Sequence, residues 1–245
     1  MEPSPSWPSP RKSSVAMRNM FNTIASRYDL ANRAMSLGRD PFWREALARR
    51  LKILESPGRL LDLAAGTGDQ IVAAKKALPG LEAVGLDLST TMMELAEAKF
   101  DKLSPPRPQM ITGDALDLPF GPNEFDSVSM SFGLRNVGSR PKLFEEAFRV
   151  LKPGGRLLIL EMYYDRQTPW AGFMNWYLKK IVPLVGGRLI STDKDAYKYL
   201  VASIMAFPRP EELAGEMKAA GFLNLSFKTY TLNTVMLVWG DKPLT

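Results

Sequence analysis

The chain has 245 residues, 45% apolar and 24% charged, which suits one sizeable core with additions and excludes both a large multidomain assembly and a disordered chain. It contains no cysteine and no histidine, so disulfides, thiolate metal sites, cysteine nucleophiles, histidine bases and histidine-dependent triads are all ruled out. The net charge of +6 sits in residues 1–60, where eleven Lys/Arg face five Asp/Glu, leaving 21 of each for the remainder. That basic stretch suits an anionic partner or a solvated helix face equally well.

The Pro/Ser-rich opening lacks the charged and apolar regions of a signal peptide, and residues 1–14 read as a loose tail before a single domain over 15–245. Val15 to Leu54 is patterned as helix, most clearly from Trp43 to Leu54, with Pro57-Gly58 closing an N-terminal helical region over residues 15–57. A buried strand over Arg59–Ala64 follows, then a helix over Gln70–Leu78, a strand over Glu82–Leu88 and a Ser89-capped helix over Thr90–Lys102. Gln109–Thr112 and Phe125–Phe132 read as strands, Pro141–Leu151 as a helix and Arg156–Glu161 as a fifth strand. Strands alternating with helices in this way predict an α/β fold with a mostly parallel sheet.

Residues 163–207 break that rhythm as an aromatic-rich helical insertion or lid, and Pro210–Ala220 resumes it as a helix before a hairpin of Leu223–Tyr230 and Thr234–Gly240. The most membrane-like run, Tyr177 to Ile190, is interrupted by Lys179, Lys180, Pro183, Gly186 and Gly187, short of the roughly 20 apolar residues a span needs. The expectation is a cytoplasmic chain that at most touches the inner face of a membrane. No internal repeat is present.

Asp62-Leu-Ala-Ala-Gly66-Thr67-Gly68-Asp69 lies where the first strand turns into a helix, a place where glycines admit a ligand and free amides meet it. A dinucleotide fingerprint needs a third glycine where Ile71 stands, and no Walker loop is present. Asp87 ends the second strand nineteen residues beyond Gly68, positioned to accept ribose hydroxyls. Nucleoside recognition without diphosphate recognition is the reading, against an alternative in which the glycines form a tight turn and Asp87 caps a helix.

This pattern resembles the class I S-adenosylmethionine-dependent methyltransferases. Gly113-Asp114-Ala115 after the third strand and Leu151-Lys-Pro-Gly-Gly155 before the fifth stand where such enzymes have comparable segments. The resemblance implies a seven-stranded Rossmann-like sheet with helices on both faces and S-adenosylmethionine as methyl donor. It further implies a pocket of Gly66, Thr67, Gly68, Asp87, Leu88, Asp114, Ala115 and Ser131, and no metal.

Three further segments are similar to the menaquinone and ubiquinone biosynthesis C-methyltransferases: Phe21-Asn-Thr-Ile-Ala-Ser-Arg-Tyr28-Asp29-Leu-Ala-Asn32 with Ser36 and Trp43; Ser131-Phe-Gly-Leu-Arg135-Asn136-Val137; and Arg149 to Glu161. The likeness spans about Met20 to Trp239. It implies methylation of an aromatic ring carbon on a polyprenylated quinol. Ala31, Asp40 and Tyr163 stand where that family usually has Met, His and Ser. These departures leave open demethylmenaquinol, a methoxy-polyprenyl-benzoquinol or a related lipid phenol.

An aromatic carbon becomes nucleophilic when the neighbouring hydroxyl loses its proton. Without histidine, the expected parts are Arg135 on the phenolate, Asn136 or Tyr28 hydrogen-bonding it, and a water or carboxylate taking the proton. Arg135 also suits a surface ion pair, Asn136 a turn, and Tyr28 simple packing. Trp170, Phe173, Trp176 and Tyr177 suit a core or a cleft for the quinol tail. Two other readings remain: a methyltransferase for a soluble phenolic acceptor, and a non-enzymatic nucleoside- or RNA-binding protein, for which no nucleic-acid motif is present. A homodimer is compatible with the sequence.

Overall fold

Leucines of the first strand, β1 (Arg59–Leu63), point alternately to two opposite layers, as the two-residue period of a strand requires. Leu60 packs with Ile71 and Ala74 of α2 (Asp69–Ala77) and with Ala96 and Phe100 of α3 (Thr90–Phe100). Leu61 and Leu63 face Leu143, Phe144 and Ala147 of α4 (Arg140–Val150) and Leu213 and Met217 of α7 (Pro210–Ala219). The computed structural model describes residues 22, 25, 29, 30, 32–182 and 194–244, excluding the side chains of 194–198. The expected tail, Tyr28, Ala31 and the second half of the 177–190 run lie outside the described residues.

Seven strands form one sheet in the order β3-β2-β1-β4-β5-β7-β6, with β2 at Glu82–Asp87, β3 at Gln109–Thr112, β4 at Phe125–Ser131 and β5 at Leu151–Met162. The first five are parallel, whereas β7 (Val235–Asp241) runs antiparallel to both β5 and β6 (Leu223–Tyr230). This is the α/β, mostly parallel sheet that the alternation predicts, with the seven strands that the resemblance implies. The helical additions are α1 (Asp40–Ala48), whose Trp43 and Leu47 pack on Leu158, Leu160, Val235 and Leu237, and α5 (Ala171–Trp176) with its π turn at Tyr177–Ile181. The last addition is α6 (Lys194–Met205).

A polar row divides the two apolar clusters on the α1/α2/α3 face. Ser127, Ser129 and Ser131 alternate along β4, and each is hydrogen-bonded: Ser127 to the Lys52 backbone, Ser129 to Asp62 at 2.6 Å, and Ser131 to the Gln70 amide oxygen at 3.0 Å. The row explains why the first helix stops at Ala48 rather than reaching Leu54. Beyond it, the N–H and C=O of Lys52 and the N–H of Leu54 are held by Ser127 and Asp126, so this backbone is bound to β4 and cannot close helical turns.

The fifth strand starts at Leu151, earlier than Arg156, because Lys152-Pro-Gly-Gly155 is carried within it as a register shift opposite Phe125 and Ser127. A Cβ at Gly155 would come within 2.9 Å of the Asp126 and Lys152 carbonyl oxygens, which is why the strand needs glycine there.

Gly68 is the left-handed N-cap of α2 at φ +76°, and a Cβ there would lie 2.7 Å from the Phe100 ring and 3.0 Å from Ala96. Gly68→Ala is therefore expected to lower stability by about 1–3 kcal/mol. A urea unfolding midpoint equal to that of the parent chain would contradict this account of how α2 meets α3.

Candidate active site

Because β1, β2, β4 and β5 are parallel and in register, Leu63, Asp87, Ser131 and Glu161 all end near one edge, where ligands bind in open α/β sheets. Two turns leave that edge through strained residues, Ala64 after β1 at φ +50° and Phe132 after β4 at φ +59°. Non-glycine residues held in this region cost energy and concentrate at functional sites. The turns touch: a Cβ on Gly133 would lie 2.9 Å from the Ala64 Cβ.

Gly66 and Gly68 play different parts. A Cβ at Gly66 would meet nothing within 4 Å, so that glycine faces open space, whereas Gly68 is occupied by packing on α3. The Gly66 N–H donates to Asp87 Oδ2 and the Ser89 N–H to Oδ1, both at 2.8 Å. Burial raises the Asp87 pKa, opposed by backbone hydrogen bonds from Ser89, Gly66 and Leu88. Asp114 turns its own chain, accepting the Leu116 N–H at 2.9 Å, and Ala115 packs against the core beside it. Ser131 lies at the edge as expected, but its hydroxyl is committed to Gln70.

Two described residues of the N-terminal segment hydrogen-bond near this turn. Thr67 Oγ1 donates to Asp29 Oδ1 at 2.6 Å, and Lys99 from α3 bridges Asp29 and Asp69 at 2.6 Å each. Ser89, the N-cap of α3, donates through its hydroxyl to Asn22 Oδ1 at 2.5 Å. Asp29 thus connects the first motif to the glycine turn, and Asn22 connects it to the start of α3.

Beneath the turn lies a pair of buried charges. Asp62 accepts the Ser129 hydroxyl and is 1% exposed; burial lifts its pKa to about 7, against the lowering by Ser129 and then by Arg44. The Arg44 guanidinium stacks over the Phe132 ring at 5.2 Å, and its buried Nε has no hydrogen-bond partner. A buried cation left incompletely bonded in this way marks a place for an anion. Arg44 carried no signal in the sequence beyond lying in a basic helix.

Arg135 and Asn136 form a 3₁₀ turn, Leu134–Asn136, directly after Phe132. Arg135 is in a buried ion pair rather than a surface one: its Nη1 donates to Glu161 Oε1 and its N–H to Oε2 at 3.2 Å, and Glu161 is 0% exposed. Asn136 Oδ1 accepts the hydroxyl of Tyr199 from α6 at 3.2 Å, and burial raises the Tyr199 pKa. Arg135 also lines a cavity of about 50 Å³ walled by Met35, Trp43, Phe132, Met162, Leu178 and Ile204, with Ser36 and Asp40 on its N-terminal side. The structure thus brings the Asp87 turn, Asp114 and Arg135 to one edge. Glu161, Tyr199 and Arg44 join them, though only Glu161 stands in a motif.

Among the described residues no helix is long and apolar enough to cross a membrane, and no group of His, Cys, Asp or Glu could hold a metal. A sequence profile of the ubiE/COQ5 methyltransferase family matches residues 10–242. Demethylmenaquinone methyltransferase of Thermus thermophilus is 40% identical over 224 residues, 91% of this chain and 100% of its own. Ubiquinone/menaquinone biosynthesis C-methyltransferase UbiE of Geotalea daltonii is 36% identical over 92% of this chain and 96% of its own. An S-adenosylmethionine-dependent methyltransferase structure from Thermotoga maritima, 20% identical, superposes with a TM-score of 0.63 over 92% of this chain and 99% of its own, a likeness of fold. With a match that runs almost end to end and relatives at this identity, the chain belongs to the ubiE/COQ5 methyltransferase family.

Proposed function

We propose that the chain is an S-adenosylmethionine-dependent C-methyltransferase that methylates the aromatic ring of a polyprenylated quinol, demethylmenaquinol or a methoxy-polyprenyl-benzoquinol. The observation that carries this reading is the contact between the turn after β1 and the turn after β4, which sets a nucleoside site beside an apolar cavity ending on Arg135. The residues present fit the donor. Asp87, fixed by the Gly66 and Ser89 amides, has lone pairs that suit ribose hydroxyls, and the Asp114 oxygen without a hydrogen bond among the described residues suits the adenine amino group. Asp62 and the Arg44 guanidinium, whose Nε has no hydrogen-bond partner among the described residues, match the ammonium and carboxylate of the methionine part. The donor supplies a methyl group already activated on a sulfonium.

The chain's own work is to hold both partners and to favour the phenolate. Arg135 serves that charge from the cavity wall while Glu161 fixes its guanidinium. At about 50 Å³ the cavity takes a quinol ring only if its wall of Leu178, Val182, Leu200 and Ile204 yields on binding. The purified chain with labelled S-adenosylmethionine is expected to methylate reduced polyprenyl quinols in preference to tail-free phenols. Arg135→Lys, which keeps a cation over Glu161, should cut turnover about 100-fold with donor affinity unchanged. Transfer to tail-free phenols alone would contradict the lipid acceptor.

Donor affinity should depend on pH through Asp62. With a pKa near 7, this carboxyl is protonated in acid and presents no charge to an ammonium group. Affinity should therefore rise as pH climbs from about 5.5 to 7.5, by at most about tenfold per unit, with proton release on binding. Calorimetry in buffers of different ionisation enthalpy measures that release, and Asp62→Asn should abolish it.

The acceptor's tail stays in lipid, and the outer surface of α5 suits contact with an anionic membrane. Trp170, Phe173 and Trp176 are 53%, 54% and 51% exposed, and Lys179 and Lys180 follow on the next turn, while Leu178 and Val182 turn inward to the cavity. Flotation with anionic vesicles is expected, weakening with salt and in the Lys179→Glu/Lys180→Glu chain. No flotation at low salt with quinol present would dismiss the membrane contact.

A further inference from the structure

Ring methylation requires a base for the quinol hydroxyl, and the cavity contains few groups able to serve. Its polar lining is Asn32, Ser36, Asp40, Arg135 and Tyr177. An amide and a serine hydroxyl are not bases at neutral pH, and Arg135 is a cation engaged with Glu161. Glu161 itself is spoken for at both oxygens, by Arg135 and by the Met162 N–H at 2.9 Å. Tyr177 donates its hydroxyl to the Met35 carbonyl at 3.0 Å, and burial raises its pKa.

Asp40 is different. It is 4% exposed, forms no ion pair with any described residue, and takes one side-chain contact, from the Ser36 hydroxyl 3.1 Å from Oδ1. Its second oxygen receives no hydrogen bond from the described chain. As the first residue of α1, Asp40 sits where a helix N-terminus favours an anion, and its open oxygen is placed to accept an acidic O–H brought into the cavity. Ser36 steadies the group, since its Oγ also accepts the Asp40 N–H at 3.3 Å and lies 3.2 Å from the Arg33 carbonyl.

We propose that Asp40 is the proton acceptor of the methyl transfer, taking the proton of the quinol hydroxyl beside the ring carbon that is methylated. The proposal rests on the reading of this cavity as the acceptor site. As the O–H proton passes to the Asp40 carboxylate, the oxygen electron pair moves into the ring. The ring carbon bonds the methyl, and the S–CH₃ bond breaks to leave a neutral thioether and a neutral dienone. The dienone then tautomerises: its ring carbon gives a proton to water and its oxygen regains one from Asp40. One proton is released overall, and the carboxylate is restored. Arg135 on the same cavity carries the oxygen's charge during the step.

The test uses the full chain with S-adenosylmethionine and two reduced naphthoquinols, an ordinary one and one with ring fluorine that acidifies the hydroxyl enough to ionise it at the assay pH. Asp40→Asn should lower kcat on the ordinary quinol by about 100-fold or more, with donor Kd and thermal midpoint unchanged. On the pre-ionised quinol the same variant should lie within about threefold of the parent, because no base is needed. Equal losses on both quinols, or no loss on either, would overturn the assignment. If Asp40→Asn does not fold, Ser36→Ala takes its place, with a loss of about tenfold expected on the ordinary quinol alone, and equal losses on both quinols, or no loss on either, counting against Asp40. Ile204→Trp, which fills the cavity, tests the underlying reading separately: full turnover in that variant would show that the acceptor binds elsewhere, whatever Asp40 does.

Discussion

Parallel pairing of β1, β2, β4 and β5 is the constraint from which the site follows. Strands that run the same way in register finish at the same edge, so residues far apart in the chain arrive together there without any long loop to carry them. Asp87, Ser131 and Glu161 come from three strands and share that edge. At the opposite edge the buried Asp126 is consumed by structure, accepting the Arg59 and Leu54 amides and the Lys152 ammonium. One edge is closed by hydrogen bonds, and the other keeps unspent polar groups.

Those unspent groups are distributed by chemistry. Beneath the turn after β1, Asp62 sits in enough apolar surroundings to hold its proton near neutral pH, and the buried Nε of Arg44 has no partner among the described residues. On the cavity side, Glu161 is tolerable only because Arg135 engages both of its oxygens, and the same contact fixes Arg135 in place. Asp40, buried and hydrogen-bonded by Ser36, forms no ion pair with any described residue. The strained turns at Ala64 and Phe132 separate the two sides and touch each other, so the backbone that forms one side also limits the other.

The N-terminal segment supplies what a bare sheet lacks. Asp29 reaches the glycine turn through Thr67, Asn22 reaches the start of α3 through Ser89, Lys99 braces the Asp29 contact, and Trp43 packs edge-on to Phe132 at 6.1 Å. Helix α1, which follows these contacts, contributes Asp40 and Arg44 to the interior. The additions after β5 cover the other side: Leu178 and Val182 meet Val201 and Ile204 from α6, and Tyr199 reaches across to Asn136.

Local pattern alone determined much of this protein. The alternation of buried strands and helices, the glycine turn after β1, Asp87 at the end of β2 and the terminal hairpin are all legible because each depends on periodicity, turn chemistry or short spacing. The motifs around Tyr28, Arg135 and Glu161 carried the family resemblance by the same route. What only the tertiary structure decided involves partners distant in the chain. Helix α1 ends at Ala48 because β4, some seventy residues later, binds the following backbone. Gly68 serves the packing of α3, Arg135 is a buried rather than a surface ion pair, and Arg44 and Tyr199 reach the site through packing. Asp40 stood in the sequence as an unexplained departure, and the cavity that would make it a base appears only when α1, the turn after β4 and the late helices are assembled around it.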